Sequence, residues 1–286
     1  MKKEKTITVR RQKIQPDRTK KRLCFFVFLT ALLLLTVVFA EQICPYDPNA
    51  QDTGAALLPP GAGHLAGTDR FGRDMLSRIL VGLKTSVTST LILVVVVTVT
   101  GSILGLICGY FGGIADTVIM RISDICLAFP GLVFAMAIAA LLNGGISNAV
   151  LALALISWPK YARIARSQTL TVKNTNYMAA SQLAGCTAAQ MIWRHILPNI
   201  AGPILVTSML DIGTMMMELA GLSFLGLGAQ IPMAEWGSMM SSGRSMIQTY
   251  PWVVLSPGIA IFISVAIFNL LGDTVRDYLD PKNSRS

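Results

Sequence analysis

Residues 174–199 read N-T-N-Y-M-A-A-S-Q-L-A-G-C-T-A-A-Q-M-I-W-R-H-I-L-P-N. The stretch is too polar to cross a bilayer and too patterned for a loose loop. From Met178 to Ala184 it consists of good helix formers. Gly185 suits the left-handed residue that closes a helix. Thr187 and Gln190 stand at capping-box spacing, which opens a second helix. That helix is expected to run to Leu197 and stop before Pro198, whose ring nitrogen has no hydrogen to donate. The expectation is therefore helix, glycine turn, helix. Ala179, Ala180 and Ser181 give the first helix a smooth face that another protein could approach closely.

The surroundings of this hairpin are apolar. The chain has 286 residues, 53% hydrophobic and 14% charged, with a mean hydropathy of +0.59. Soluble domains carry about 25% charged residues. The deficit excludes an ordinary soluble enzyme, a disordered regulator and a fibrous protein. The net charge of +9 is concentrated rather than spread. Lys2, Lys3, Lys5, Arg10, Arg11, Lys13, Arg18, Lys20, Lys21 and Arg22 all precede the first apolar run. A basic block beside a greasy segment orients a membrane protein and attracts anionic lipid, with no need for nucleic acid. It is equally compatible with a solvated tail.

Read as a membrane path, the chain gives six helical spans. The first is 23–43, long enough for a hydrocarbon core of about 20 helical residues. A cleaved leader competes, because Val38-Phe39-Ala40 resembles a cleavage site, but the run is long and more spans follow, so a retained helix is expected. An extracytoplasmic segment, 44–84, is punctuated by Pro, Gly, Asn and Asp. The core, 85–273, holds five more helices. Its β-branched run at 94–100 must still be helical, since a lone strand in lipid would leave its backbone unpaired. Spans three and four share the uncharged stretch 125–159, broken at Asn143-Gly144-Gly145. Spans five and six are 198–221 and 252–272, separated by an outer loop at 223–250. The basic tail 1–22 and the tail 274–286 are expected in the cytoplasm, as is the hairpin 174–198, because most Lys and Arg then lie inside. Arg70, Arg73, Arg78 and Lys84 violate that rule locally. Asp69 and Asp74 would relieve it, as would a segment that hugs the protein.

Several chemistries are missing. No G-x-x-x-x-G-K-[ST] phosphate loop, H-E-x-x-H helix or G-x-S-x-G elbow occurs. His64 and His195 are the only histidines, and the five cysteines lack metal or redox spacing. An enzyme is not expected, nor a resident metal or cofactor.

The hairpin resembles the EAA loop of ABC-importer permeases: three small residues, three more, Gly185, then a helix closing in Ile196-Leu197-Pro198. The leading Glu of that motif falls at Ala179, a departure that removes a charge contact but not the helix–turn–helix. Other stretches are similar to the peptide/nickel subfamily. They are His64 to Asp69 with Gly72-Arg73-Asp74, Gly221 to Gly228 with Trp236-Gly237, and Asn269 to Asp273 with Arg276-Asp277 and Leu279-Asp280-Pro281. The resemblance implies an all-α type I permease fold of six transmembrane helices in a bacterial inner membrane. It also implies a second, homologous permease, two ATPase subunits that bind the ATP and Mg, and an extracytoplasmic solute-binding protein. Tyr177, Ala179, Ala180, Ser181, Gly185, Leu197 and Pro198 would form the ATPase-coupling surface. Leu210 to Gly213 with Met215-Met216, Phe262 to Val265 with Phe268-Asn269-Leu270, and Ala234 to Gly237 resemble the nickel branch, so nickel, free or chelated, is the expected cargo. The alternatives are dipeptides or oligopeptides through the same machine, or a stand-alone secondary transporter or channel.

Asp211 and Glu218 lie seven apart on the fifth span, near one helix face. Ionisable groups inside a span are costly and mark a cavity or a partner. They and Met215 are the pathway candidates. The bland alternative is that Asp211 hydrogen-bonds a neighbouring helix.

Overall fold

A computed structural model describes residues 16–279, and the regular structure among them is helical. The helices are α1 (Pro16–Val38), α2 (Met75–Phe111), α3 (Gly113–Ala128), α4 (Gly131–Leu141), α5 (Ile146–Lys173), α6 (Asn176–Leu183), α7 (Ala188–Gln190), α8 (Leu197–Phe224), α9 (Trp236–Gly243) and α10 (Trp252–Leu279). Most of the basic N-terminal block and the end of the C-terminal tail lie outside the described residues.

Four helical stretches are long and apolar enough to cross a membrane, and five if α3 and α4 count as one broken span. The remaining expected span, α5, has the length, about 42 Å at 1.5 Å per residue, but carries Lys160, Arg163 and Arg166. It packs along α2 through glycines. A Cβ at Gly101, Gly105 or Gly109 would run into the α5 backbone at Trp158, Ala162 and Arg166 or into side chains beside it. Small residues four apart let two helices approach closely, which in lipid replaces the missing hydrophobic drive. The buried Leu93, Val97, Leu153, Ile156 and Tyr161 of this pair join Ile200, Ile204 and Leu219 of α8 in one core. α10 packs on α8, and α1 packs against α10 at the periphery.

Several boundaries differ from the sequence expectation. α1 is Pro16–Val38 rather than 23–43, α5 runs on to Lys173 past the expected 159, and α10 runs to Leu279 past 272. α2 starts at Met75, ten residues before the expected Thr85. Asp74 caps it, accepting from the Ser77 N–H at 2.7 Å, and Arg78 is buried because Pro48 O, Pro232 O and Asp69 surround its guanidinium. Spans three and four divide at the expected glycine turn, but the third also breaks at Phe129-Pro130, where α3 and α4 meet at 96°. Pro198 does not end a helix: residues 188–224 run on as one stretch.

The segment before α2 hugs the bundle. Asp69 holds Arg73 at 2.7 Å, His64 Nδ1 lies 2.9 Å from Asp74, and Trp252 Nε1 donates to Thr68 O at 3.3 Å. This segment and α9 share one end of the bundle. The 174–198 hairpin occupies the other, where Lys173 Nζ donates to Tyr110 O at 2.7 Å.

Candidate functional site: a helical hairpin and a charge pair

The hairpin is built by local chemistry. Gly185 sits at φ +84, and the Cys186 N–H then returns to Ser181 O at 3.2 Å, closing α6. The Thr187–Gln190 capping box forms with both bonds present. After α7 the chain makes a π turn over Met191–Ile196, in which Leu197 N–H donates to Ile192 O. The wider turn carries the chain past Pro198, at the start of α8, where a missing N–H costs little.

Met178, Met191 and Ile196 are buried and anchor the hairpin to the bundle. Leu183 is 90% exposed and Trp193 69%, with Tyr177 also exposed. Of the expected coupling residues, Tyr177, Ala179, Ala180, Ser181 and Gly185 lie together on α6 and its turn. Leu197 and Pro198 begin α8. The two arms meet where Asn199 Nδ2 donates to the Tyr177 hydroxyl at 3.3 Å and the Tyr177 and His195 rings lie 6.2 Å apart. A crevice of about 420 Å³ runs between the end of α2 and the hairpin, lined by Tyr110, Phe111, Lys173, Asn176, Ala179 and Gln182.

Deeper in the bundle, Asp211 is buried on α8 and faces α5. Lys160 Nζ reaches both its carboxylate oxygens, at 2.6 and 2.7 Å, and Tyr161 donates to Oδ2 at 3.0 Å. Lys160 was expected beyond the end of the fourth span; instead it is the partner that makes Asp211 tolerable. Its position straight after a long uncharged run was the available signal. Glu218, two turns further along α8, is half-buried, while Met215 is buried in the core. Nearer the hairpin, Arg166 grips Asp116 with two bonds (2.5 and 2.6 Å) and Arg163 holds Asp124 at 2.7 Å, tying α3 to α5.

At the opposite end, Glu235 is buried and caps α9, accepting from Gly237 N–H (2.9 Å), Ser238 N–H (2.8 Å) and the Ser86 hydroxyl (3.2 Å). Burial pushes its carboxyl above the ordinary range, against the pull of these donors. Among the described residues no three His, Cys, Asp or Glu side chains are grouped to hold a metal ion.

Long apolar helices with a polar hairpin at one end and an ion pair between two of them mark a chain built to sit in a membrane. Residues 101–285 match the family described as binding-protein-dependent transport system inner membrane component, and the chain belongs to that family. It is 44% identical to a probable D,D-dipeptide transport system permease of Escherichia coli K12, over 89% of this chain and 85% of the relative. It is 42% identical to a glutathione permease of Pectobacterium atrosepticum, over 89% and 85%. A nickel permease of E. coli K12 is 38% identical, over 89% and 92%. The inward-facing MetNI methionine ABC transporter has the same fold, with a TM-score of 0.58 at 18% identity over 71% of this chain and 97% of that one.

The chain is thus a permease subunit of an ABC importer, a multi-pass protein of the bacterial inner membrane and not an enzyme. The family works with ATPase and binding-protein partners. The expected preference for nickel is not upheld, since the relatives do not single out that branch.

Proposed function

We propose that this chain forms half of the translocation pathway of an ABC importer for short peptides, paired with a homologous permease, two ATPase subunits and an extracytoplasmic binding protein. The hairpin end faces the cytoplasm, and both termini lie there. ATP and Mg belong to the ATPases; no cofactor is assigned to this chain. Closure of the ATPases pushes α6 and its turn, and the π turn passes the displacement into α8, which carries Asp211 and Glu218 along the pathway. The observation that carries this reading is the hairpin itself: a capped helix–turn–helix, anchored by buried methionines, presents Leu183 and Trp193 away from the bundle. Exposed apolar side chains on a polar tip fit a protein partner.

Peptide is favoured over nickel because relatives named for dipeptides and glutathione are 44% and 42% identical, against 38% for one named for nickel. The test of coupling is a cysteine in place of Leu183 in the intact complex. A short bifunctional crosslinker should join it to an ATPase subunit, and nucleotide should change the yield. A hairpin that crosslinks only to lipid, or to a protein on the outer side, would overturn the reading.

A further inference from the structure

We propose that Lys160, clamped on Asp211, is a cargo-reading station on the pathway wall that takes the terminal carboxylate of a short peptide, with Glu218 as the counter-charge for its ammonium end. The proposal rests on the peptide-importer reading above.

Depth is the first support. Lys160 lies 14 residues into α5, about 21 Å from the Ile146 end and about 20 Å from Lys173. Asp211 is about 20 Å from the Phe224 end of α8. The pair therefore sits near the middle of both helices, and an ionisable group held among apolar helices usually faces a cavity or a partner.

Exposure is the second. The Asp211 side chain is 9% exposed, but that of Lys160 is 50%. Tyr161 and Lys160 satisfy the carboxylate from one side, and an ammonium has three donors, of which two go to Asp211. The half-exposed side chain leaves the third open to a further acceptor.

The wall around the pair is the third. The exposed face of α2 is mostly aliphatic, with Ile92, Val95, Val96, Val99 and Ile103 beside Thr100. The outward face of α8 is mixed: Leu205 and Met217 are exposed, and so is Thr214, with Thr207 and Glu218 partly exposed. Those polar groups give this wall contacts for water and cargo.

Charge order gives the cargo class. The Lys160–Asp211 pair carries no net charge, so its half-exposed ammonium and the separate Glu218 carboxylate offer one group of each sign. A zwitterion finds complementary groups. Asp211 and Glu218 are about 10 Å apart along the helix, and an extended peptide of two to three residues spans about 7–10 Å.

The test uses the whole complex in proteoliposomes with its binding protein. The probes are labelled Ala-Ala and, separately, Ni²⁺. Wild type should import Ala-Ala; import of Ni²⁺ alone would overturn the peptide reading and this proposal with it. If the peptide is imported, the neutral pair Lys160→Gln/Asp211→Asn should assemble with all subunits yet lose Ala-Ala uptake by about tenfold or more, the worth of one charge-assisted bond. Glu218→Gln should lower uptake several-fold. The reversed pair Lys160→Asp/Asp211→Lys should assemble but not recover transport, because the cation is then behind the wall. Recovery by the reversed pair, uptake within about twofold of wild type in the neutral pair, or failure of the neutral pair to assemble would each make the contact a structural strut and overturn the proposal.

Discussion

Gly185 is the single residue on which the hairpin's shape depends most. Its φ of +84 is closed to most side chains, yet an added Cβ would meet nothing within 4 Å. The cost of Gly185→Val is therefore backbone strain, about 1–2 kcal/mol, and not a clash. The variant should reach the membrane at wild-type levels while cargo-stimulated ATP hydrolysis by the complex falls several-fold. Gly185→Asn, which tolerates the left-handed region, should keep most of it. This position was legible in the sequence because turn and cap chemistry is local: Gly185, Thr187 and Gln190 need only their neighbours. Lys160 was not, because its meaning depends on Asp211, 51 positions away. Glu235 offers a second residue-scale prediction. A carboxyl whose pKa is raised by folding contributes stability that is complete below about pH 4.3, the unfolded value, and fades as pH rises through the raised value. The melting temperature should therefore fall more steeply as pH rises above about 4.3 in wild type than in Glu235→Gln. The amide's fixed cost in lost acceptors cancels in that slope. Equal slopes would show that Glu235 does not titrate there.

Among the elements, the misread boundaries share a cause. Apolarity alone places the start of α2 at Thr85, since Arg78 and Lys84 look like solvent residues. Both have partners from distant loops, Pro48 O, Pro232 O and Asp69 for one and Glu41 for the other, which no window of sequence reveals. Pro198 reads as a stop by the rule for helix interiors, but the π turn before it changes which carbonyls need a donor. Phe129-Pro130 carried a visible break signal, because the residue before proline avoids the helical region; the uncharged run across it hid the break. The α2–α5 contact makes a sharper prediction. Gly105→Ala would press a methyl onto Ala162 O and the Ala165 side chain, whereas Gly202→Ala on α8 meets nothing within 4 Å and gains helix propensity, up to about 1 kcal/mol. In detergent, the first variant should melt several degrees below wild type and the second at or above it. A loss shared by both would point to a general intolerance of alanine, not to close helix approach.

For the molecule as a whole, the two ends differ in exposed positive charge, and that difference predicts how the chain sits in its membrane. At the end formed by 46–74 and 225–251, the basic residues that seemed to violate the inside rule are largely neutralised: Arg73 and Arg78 are buried with Asp69, and Lys84 pairs with Glu41. Arg70 and Arg244 remain exposed there. The hairpin end displays Arg121, Lys173 and Arg194 on its exposed surface. Asp116 is bound into α5 by Arg166, and Asp124 is shared between Arg163 and Arg121, 4.0 Å away, which leaves Lys173 and Arg194 exposed with no carboxylate partner among the described residues. Insertion responds to Lys and Arg close to the ends of spans, so the hairpin end is expected to stay in the cytoplasm. Single cysteines at Leu65, 71% exposed, and Leu183, 90% exposed, test this once the five natural cysteines are replaced by serine or alanine. In sealed spheroplasts an impermeant maleimide should label the first and spare the second until the membrane is opened. The reverse pattern would put the hairpin on the side without ATP, and the coupling proposed for it could not act.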